Sequence, residues 1–540
     1  MGTNKILDVA VVGAGFAGLH MLQRARQSGW DARAFEAGGE VGGTWYWNRY
    51  PGARCDFPSL DYSYEFDDDL QREWVWSERY PSQPEILRYL NHVVDRYDLR
   101  DRVELGAQVT AAVFDESAEL WDLTVHTAAG SRTVRARHVV LGTGALSAPR
   151  FPDVPGREDF QGEQFHTAAW PQEPVDFRGK RVAVVGTSSS GTQVISAIAP
   201  DAAELHVLQR TPSYVVPARN RPLQETERRE LLSDLEGYRE RARAAFLGVD
   251  FPSAGPSAAE ADPDERERAL EERWAQGGSA ILGAYDDVLV NQESNDVVAD
   301  FLRRKITETV QDQETARQLM PEYPVGARRI VVESDYHEAF NRPSVHLVDT
   351  RERPLNRVTA EGVVVGDDLI EVDMIVFATG FDALTGPALA INPVGRDGIT
   401  LREAWSAGPV TLYGVMVHGF PNLFHIAGPG SPSVLSNVVR SIEQHVSWIG
   451  DLLSSMKRQG QTVVEPTEQA QADWVAHANE VADATLLPTT ASWYLGANVP
   501  GKPRVFMPYA GGVPGYRDIV ERAAAAGYPG FHFRHERNAA

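Results

Sequence analysis

The chain has 540 residues, 43% of them hydrophobic, enough for two or three domains each with its own core. Its formal net charge is −23 with no basic block, which argues against nucleic acid or an anionic membrane as partner. The one cysteine, Cys55, excludes intramolecular disulfides, CxxC redox chemistry and thiolate metal clusters, so no metal site is expected.

No apolar run approaches the roughly 20 residues that a membrane span requires. Met1-Gly2 opens like an acylation signal, but Leu7 and Asp8 already belong to a strand, which leaves no room for a signal peptide. The expectation is a soluble, cytoplasmic protein, monomeric or weakly homo-oligomeric. Asp8–Val12 is a short apolar run suited to a buried parallel strand. Gly13-Ala-Gly15-Phe-Ala17-Gly18 follows, then a helical stretch to about Ser28 and a second strand, Ala32–Phe35, ending at Glu36. Gly13 suits the tight turn, Gly15 the approach of backbone to a pyrophosphate, and Gly18 the packing of helix on strand. Glu36 can accept both ribose hydroxyls and would repel a 2′-phosphate. This site should hold FAD or NAD, not NADP.

Gly42-Gly43 opens a stretch dense in aromatics: Trp45, Tyr46, Trp47, Tyr50, Tyr62 and Tyr64, of which Tyr64 reads as core. Val139–Leu141 leads into Gly142-Thr-Gly144, the first point where the chain leaves one nucleotide domain for another. Lys180–Val185 is a second buried-strand run, followed by Gly186-Thr187-Ser188-Ser189-Ser190-Gly191-Thr192, a helix, and the strand Leu205–Leu208. Ser188 replaces the middle glycine, but its small side chain still admits a phosphate and its hydroxyl can donate to one. The strand ends in Gln209-Arg210-Thr211, with Arg210 where the first site has an acid. A guanidinium there pairs bidentately with a 2′-phosphate, so this site should prefer NADPH.

Residues 221–325 are rich in Glu and Arg, with helix-period apolar positions at Leu231, Leu232, Leu235 and Tyr238, and read as a helical insertion that shapes a cavity. Residues 251–264 read as a loop. Met374–Phe377 and the following Ala-Thr-Gly380 mark the return crossing. Phe424–Ser433 is a glycine-rich segment after a strand and ahead of a helix, and Ala491–Lys502 is glycine-punctuated and expected to be a mobile loop. The fold class is therefore α/β, with two Rossmann-like dinucleotide-binding domains and a helical insertion. The expected division is 1–145 (FAD, first part), 146–220 (NADP, first part), 221–325 (insertion), 326–383 (NADP, second part) and 384–540 (FAD, second part).

Between the two glycine turns stands Phe160-Gln-Gly162-Glu-Gln-Phe-His166-Thr-Ala-Ala-Trp170-Pro171. It resembles the F-x-G-x-x-x-H-x-x-x-W-[PD] fingerprint of Baeyer–Villiger monooxygenases. Gly43-Thr-Trp-Tyr-Trp-Asn-Arg-Tyr-Pro-Gly52, Gln83–Tyr89, Ala378–Gly386 and Ala497–Phe506 extend the resemblance over nearly the whole chain, nearest to the phenylacetone and steroid monooxygenase branch. It implies FAD contacts from Thr44, Trp45, Tyr46, Trp47, Cys55, Asp56, Tyr62 and Val109, with Arg54 near the nicotinamide side. It implies catalytic roles for Arg329 and for Asp56 as its orienting partner. It gives Arg328 to NADP binding, Trp493 to covering the cofactor, and Ser433, Val434, Leu435 and Val438 to the substrate pocket. His166 and Trp170, on the interdomain link, are expected to control domain movement; a general-base reading of His166 is rejected.

The implied reaction takes hydride from NADPH to FAD, adds O2 to the reduced flavin, and inserts one oxygen beside a ketone carbonyl to give an ester or lactone, with Arg329 stabilising the negative charge. Sulfide oxidation can accompany it. The alternatives are a flavin-containing N- or S-oxygenase, which Trp170-Pro171 disfavours, and a non-catalytic flavin redox sensor, which Arg329, Asp56 and Arg210 oppose.

Overall fold

Two sheets, one mixed and one all parallel, each carrying one glycine turn, organise the computed structural model, which describes residues 5–535. In the first, Leu7–Val12 lies between Ala32–Phe35 and Gly130–Leu141, parallel to both. Both faces of that central strand are covered, and its side chains alternate between them. Val9 and Val11 enter one core cluster, Ala10 and Val12 another. An antiparallel meander, Gln108–Asp115 and Leu120–Thr127, extends the sheet from Gly130–Leu141. Leu423–His425, far along the chain, returns to pair in parallel with the end of Gly130–Leu141.

In the second sheet Arg181–Val185 lies between Glu204–Gln209 and Met374–Phe377, with Val345–Asp349 and Glu163–His166 outside them, all parallel. Val182 and Val184 face one cluster and Ala183 the other. The chain passes from the first sheet to the second after Leu141 and returns after Phe377. These two crossings touch: Thr379 donates its hydroxyl to the carbonyl of Arg150.

The segment 221–325 is helical, with helices Glu225–Ser233, Leu235–Ala244, Pro263–Gln276, Gln292–Thr309 and Gln313–Gln318. Its core gathers Leu270, Ile281, Val298, Phe301 and Leu302 with Tyr214 and Val325. The loop expected over 251–264 ends sooner. Asp262 accepts hydrogen bonds from the N–H groups of Asp264 and Glu265, and Pro263 suits a first helical turn, so the helix starts there. The C-terminal part lays the long helix Val438–Gln459 against Phe16–Gln27 and closes with the antiparallel strand pair of Gln461–Pro466 and Phe531–His535. Among the described residues no helix is long and apolar enough to cross a membrane, and no group of His, Cys, Asp and Glu could hold a metal ion.

Candidate active site

At the first turn, Gly13 has φ +98°, and a Cβ there would lie 2.7 Å from the carbonyl oxygen of Gly142. A Cβ on Gly18 would lie 1.9 Å from the oxygen of Gly13, so the helix Phe16–Gln27 approaches its strand only because glycine stands there. Ala17 is buried in the same contact. Gly15 begins the helix with no side-chain cap, unlike the helices at Asp68, Pro263, Gln292 and Glu468, which Asp67, Asp262, Asn291 and Thr467 cap. Free N–H groups at a glycine-lined helix start fit a pyrophosphate. Glu36 closes the site: its two carboxylate oxygens accept from the N–H groups of Ala14 and Gly38, each at 2.7 Å. Burial raises its pKa, and those two bonds counter the rise. Val109 is buried in the cluster of Val12 and Phe35.

Thr44–Trp47 forms one helical turn, with Thr44 and Trp47 exposed and Trp45 and Tyr46 buried. Trp45 donates its indole N–H to the hydroxyl of Tyr62 at 3.1 Å. Tyr64 is core, its hydroxyl given to the carbonyl of Phe16. Cys55 is buried, and burial pushes its thiol pKa well up, so it stays protonated. Arg54 sends its guanidinium to Glu78 and to the carbonyl of Tyr80, both at 3.0 Å, while its own carbonyl accepts from Gln193 in the second domain.

The second turn repeats the first. Gly186 has φ +109°, and a Cβ on Gly191 would lie 2.0 Å from the Gly186 oxygen. Ser188 starts the helix Ser189–Ile198 without a side-chain cap and is itself exposed; Ser189 and Ser190 follow in the first turn. Thr187 and Thr192 are buried and brace the turn, with Thr192 donating to the Thr187 carbonyl and Thr187 to that of Thr211. Arg210 is exposed and makes no ion pair among the described residues. Its charge adds to the burial that lowers the pKa of both Arg150 and Arg328. Three guanidinium groups gather here with no carboxylate in hydrogen-bonding contact among the described residues, which fits a 2′-phosphate. Arg150 carries no sequence signal of this. Arg328 also donates to the carbonyl of Ala491, and Arg150 to that of Asn498, so both hold the segment 491–502.

Arg329 lies just before the strand Val331–Val332, which pairs with Val215–Val216, and reaches back to the first domain. Its Nε and Nη2 each lie 2.7 Å from Asp56 Oδ2, and Nη1 donates to the carbonyl of Val434 at 2.6 Å. Burial opposes its charge, but the carboxylate of Asp56 outweighs that and raises the pKa, so the group is a permanent cation. Arg329 and Asp56 open onto a cavity whose empty space, open solvent at its mouth included, is about 560 Å³. Phe57, Ile330, Val332, Val434, Leu435 and Tyr494 line one part, and the insertion contributes Phe246, Leu247, Ser279, Leu282 and Leu289. Of the four pocket residues expected, Val434 and Leu435 line it. Ser433 and Val438 do not: Ser433 turns inward at φ +36° with no exposure, and Val438 packs against the first domain's core. Trp493 stands beside the cavity, half-buried in one cluster with Tyr494 and Val434, their rings 4.5 Å apart in the case of Tyr494. Phe57, Phe246 and Tyr494 escaped the sequence reading, since scattered apolar residues carry no sign of a shared wall.

The fingerprint bridges the domains. His166 accepts at Nδ1 from the Ala168 N–H at 3.0 Å, which leaves Nε2–H to donate to the carbonyl of Arg150 at 3.2 Å. Burial lowers its pKa, so the ring is neutral and both nitrogens are occupied. Trp170 packs on Phe165 and Phe177 and gives its backbone N–H to the Trp47 carbonyl. Gln172, just past Pro171, donates to the hydroxyl of Tyr46. Phe160 is buried in the second sheet's outer cluster, and a Cβ on Gly162 would meet the Asp373 oxygen at 2.3 Å.

Two dinucleotide sites of opposite ribose chemistry, meeting at a cation over an apolar cavity, define a flavin- and nicotinamide-dependent oxidoreductase. Residues 10–232 match the family model of pyridine nucleotide-disulphide oxidoreductases. The chain is 41% identical over 531 residues to the acetone monooxygenase (methyl acetate-forming) of Gordonia sp. (strain TY-5), covering 97% of this chain and 98% of that protein. It is 39% identical to a Baeyer–Villiger monooxygenase of Pseudooceanicola batsensis, covering 96% and 95%. Among solved structures it matches an oxidised steroid monooxygenase bound to NADP with TM-score 0.92 and 45% identity, covering 98% and 99%. It matches an OTEMO complex with FAD and NADP with TM-score 0.94 and 37% identity, also covering 98% and 99%. The chain belongs to the Baeyer–Villiger monooxygenases.

Proposed function

We propose that the chain is an FAD-containing, NADPH- and O2-dependent monooxygenase that converts apolar ketones to esters or lactones in the cavity beside Arg329. The observation that carries this reading is the Arg329–Asp56 pair, a permanent cation facing an apolar cavity where the two nucleotide halves meet. Residues 1–145 and 384–540 make up the FAD half, 146–220 and 326–383 the NADP half, and 221–325 the insertion. The return of Leu423–His425 to the first sheet and of Met374–Phe377 to the second supports that division.

Gly13, Gly15 and Gly18 with the uncapped helix hold the FAD pyrophosphate, and Glu36 its ribose. Thr44–Trp47 and Tyr62 bound the ring system. Gly186–Thr192 hold the pyrophosphate of NADPH, and Arg210, with Arg328 and Arg150, its 2′-phosphate. FAD held there would supply, with NADPH and O2, the oxidising equivalent that the ketone needs. Arg329 has five N–H donors, of which three are engaged by Asp56 and Val434. Tyr494 also lies within hydrogen-bonding reach of the guanidinium, and the terminal N–H left over serves oxygen atoms on which negative charge develops as the carbonyl is attacked. Asp56 orients the fork and keeps the cation in place. Apolar walls limit the water that would otherwise divert the oxidising equivalent. Charge balances with one proton taken up: ketone, O2, NADPH and a proton give ester, NADP⁺ and water.

A panel of acyclic, cyclic and aryl ketones, with one sulfide, tests the reading. The holoenzyme with NADPH and O2 should return ketone products heavier by one oxygen atom. NADPH consumption with every ketone recovered unchanged would reject it.

A further inference from the structure

The wall of the cavity formed by Phe246 and Leu247 is fastened from behind in an unusual way. Three successive carbonyls of this turn all accept from the C-terminal part of the FAD half. Phe246 accepts from the Val513 N–H at 3.0 Å and Leu247 from the Asn437 N–H at 2.9 Å. Gly248 accepts from Arg440 Nη1. Arg440 is 6% exposed and lies one turn into the helix Val438–Gln459, outside the cavity. Its guanidinium spans two elements at once. Nε and Nη2 donate to Glu65 Oε1 at 2.9 and 2.6 Å, and Nη1 lies 3.3 Å from Asp61 Oδ1 as well as on the Gly248 carbonyl. Asp61 is itself held by the Tyr238 hydroxyl at 2.6 Å, and its carbonyl by Asn437. A buried cation between two buried carboxylates is costly to assemble, and losing it leaves Asp61 without a cation and Glu65 with only the longer contact to Arg243, at 3.4 Å. Asp61 and Glu65 belong to the aromatic segment beside the FAD site, so Arg440 ties the cavity's insertion wall to the body that holds the flavin.

We propose that Arg440 is a positioning residue that fixes the Phe246–Leu247 wall, through the Gly248 carbonyl, at the height that decides how large a ketone the cavity accepts. The proposal rests on the ketone reading of this cavity given above. Arg440 does not line the cavity; it acts through the turn. A wall displaced by the size of one methylene changes the discrimination between neighbouring substrates by about tenfold or more.

The test compares cyclic ketones of increasing ring size with a small acyclic ketone. Arg440→Lys keeps the charge between Asp61 and Glu65 but lacks the planar fork that reaches Gly248 as well. Its thermal midpoint should stay near that of the parent, while the ratio of kcat/KM for large over small ketones shifts about tenfold. Gly248→Ala acts at the other end of the clamp: at φ +71° an alanine strains the turn, and its Cβ would press on Val513 Cγ2 at 3.3 Å. It should shift the ratio too. Anaerobic reduction of the bound flavin by NADPH should keep its rate in both. An unchanged ratio in both variants, with the fold intact, overturns the proposal, because a merely structural arginine would move the midpoint and not the selectivity. Titration of the same ketones into the oxidised holoenzyme, followed by the flavin absorbance, separates the two readings. If the parent binds ketones but oxygenates none, the functional reading falls, and the shift in dissociation constants across ring sizes still decides the role of Arg440.

Discussion

At the scale of single residues, the site depends on two arginines of unlike function. Arg329 sits against Asp56 with a pKa pushed well above its ordinary value, so its charge is constant across any workable pH. Replacing Arg329 with Ala should leave flavin reduction by NADPH nearly intact and cut ketone oxygenation by about a hundredfold or more. Stopped-flow reduction and product analysis on the same preparation check both halves. Arg210 is proposed to act at the adenosine end of NADPH, on its 2′-phosphate. Arg210→Asp should raise the KM for NADPH by about a hundredfold while changing that for NADH far less, since two charge-assisted bonds to the phosphate are lost and a repulsion is added. Equal losses for the two coenzymes would remove the 2′-phosphate role. Arg210 was legible in the sequence from the sign of the residue ending its strand. Arg329 was legible only through family resemblance, because nothing in adjacent arginines says that one will reach a carboxylate 273 positions away.

At the scale of elements, the two strand–turn–helix units were readable nearly to the residue. Glycine sits where a Cβ would collide with a carbonyl, and that constraint is local. Gly191→Ala would place a methyl 2.0 Å from the Gly186 oxygen and force the helix Ser189–Ile198 off its strand. The expected result is loss of NADPH binding with FAD still bound, measured by coenzyme titration of the yellow protein; unchanged NADPH affinity would show that the turn tolerates the shift. Less was legible where a segment chooses its face by tertiary packing. Within Ser433–Val438 only Val434 and Leu435 meet the cavity, because Ser433 is turned inward by its left-handed backbone and Val438 opens a helix whose face is claimed by the Phe16–Gln27 side. The loop over 251–264 was likewise set by one cap, Asp262.

At the scale of the whole molecule, the cavity is assembled from segments as distant as Asp56, Leu289, Arg329, Val434 and Leu487, so no window of sequence contains it. The same burial that builds the cores sets the pH response. His20, His337, His425 and His445 are buried neutral, with pKa values held down to about 3, 4, 4 and 3 chiefly by desolvation. Each would protonate near its ordinary value of 6.5 once unfolded, so the unfolded chain binds more protons below that pH. Their contribution is fully present above 6.5 and is lost as pH falls toward 4, at up to about 1.4 kcal/mol per pH unit for each ring. Glu443, raised by burial to about 8, works the other way, since its folded form gains relative stability as pH falls from 8. Four rings against one such carboxyl, with Glu333 raised to about 7 as a second, predict a net fall in thermal midpoint between pH 6.5 and 5. A midpoint that rises over that interval would mean that these histidines accept protons without unfolding.

The central claim is that dioxygen activated in this protein is delivered to a ketone beside Arg329. Its most direct test supplies the holoenzyme with NADPH, isotopically heavy dioxygen and a ketone that the parent converts, and follows the label by mass. The parent should place one heavy oxygen in the ester for each NADPH consumed, and Arg329→Ala should consume NADPH while releasing the label as hydrogen peroxide. An Arg329→Ala protein that forms labelled ester as fast as the parent would contradict the account.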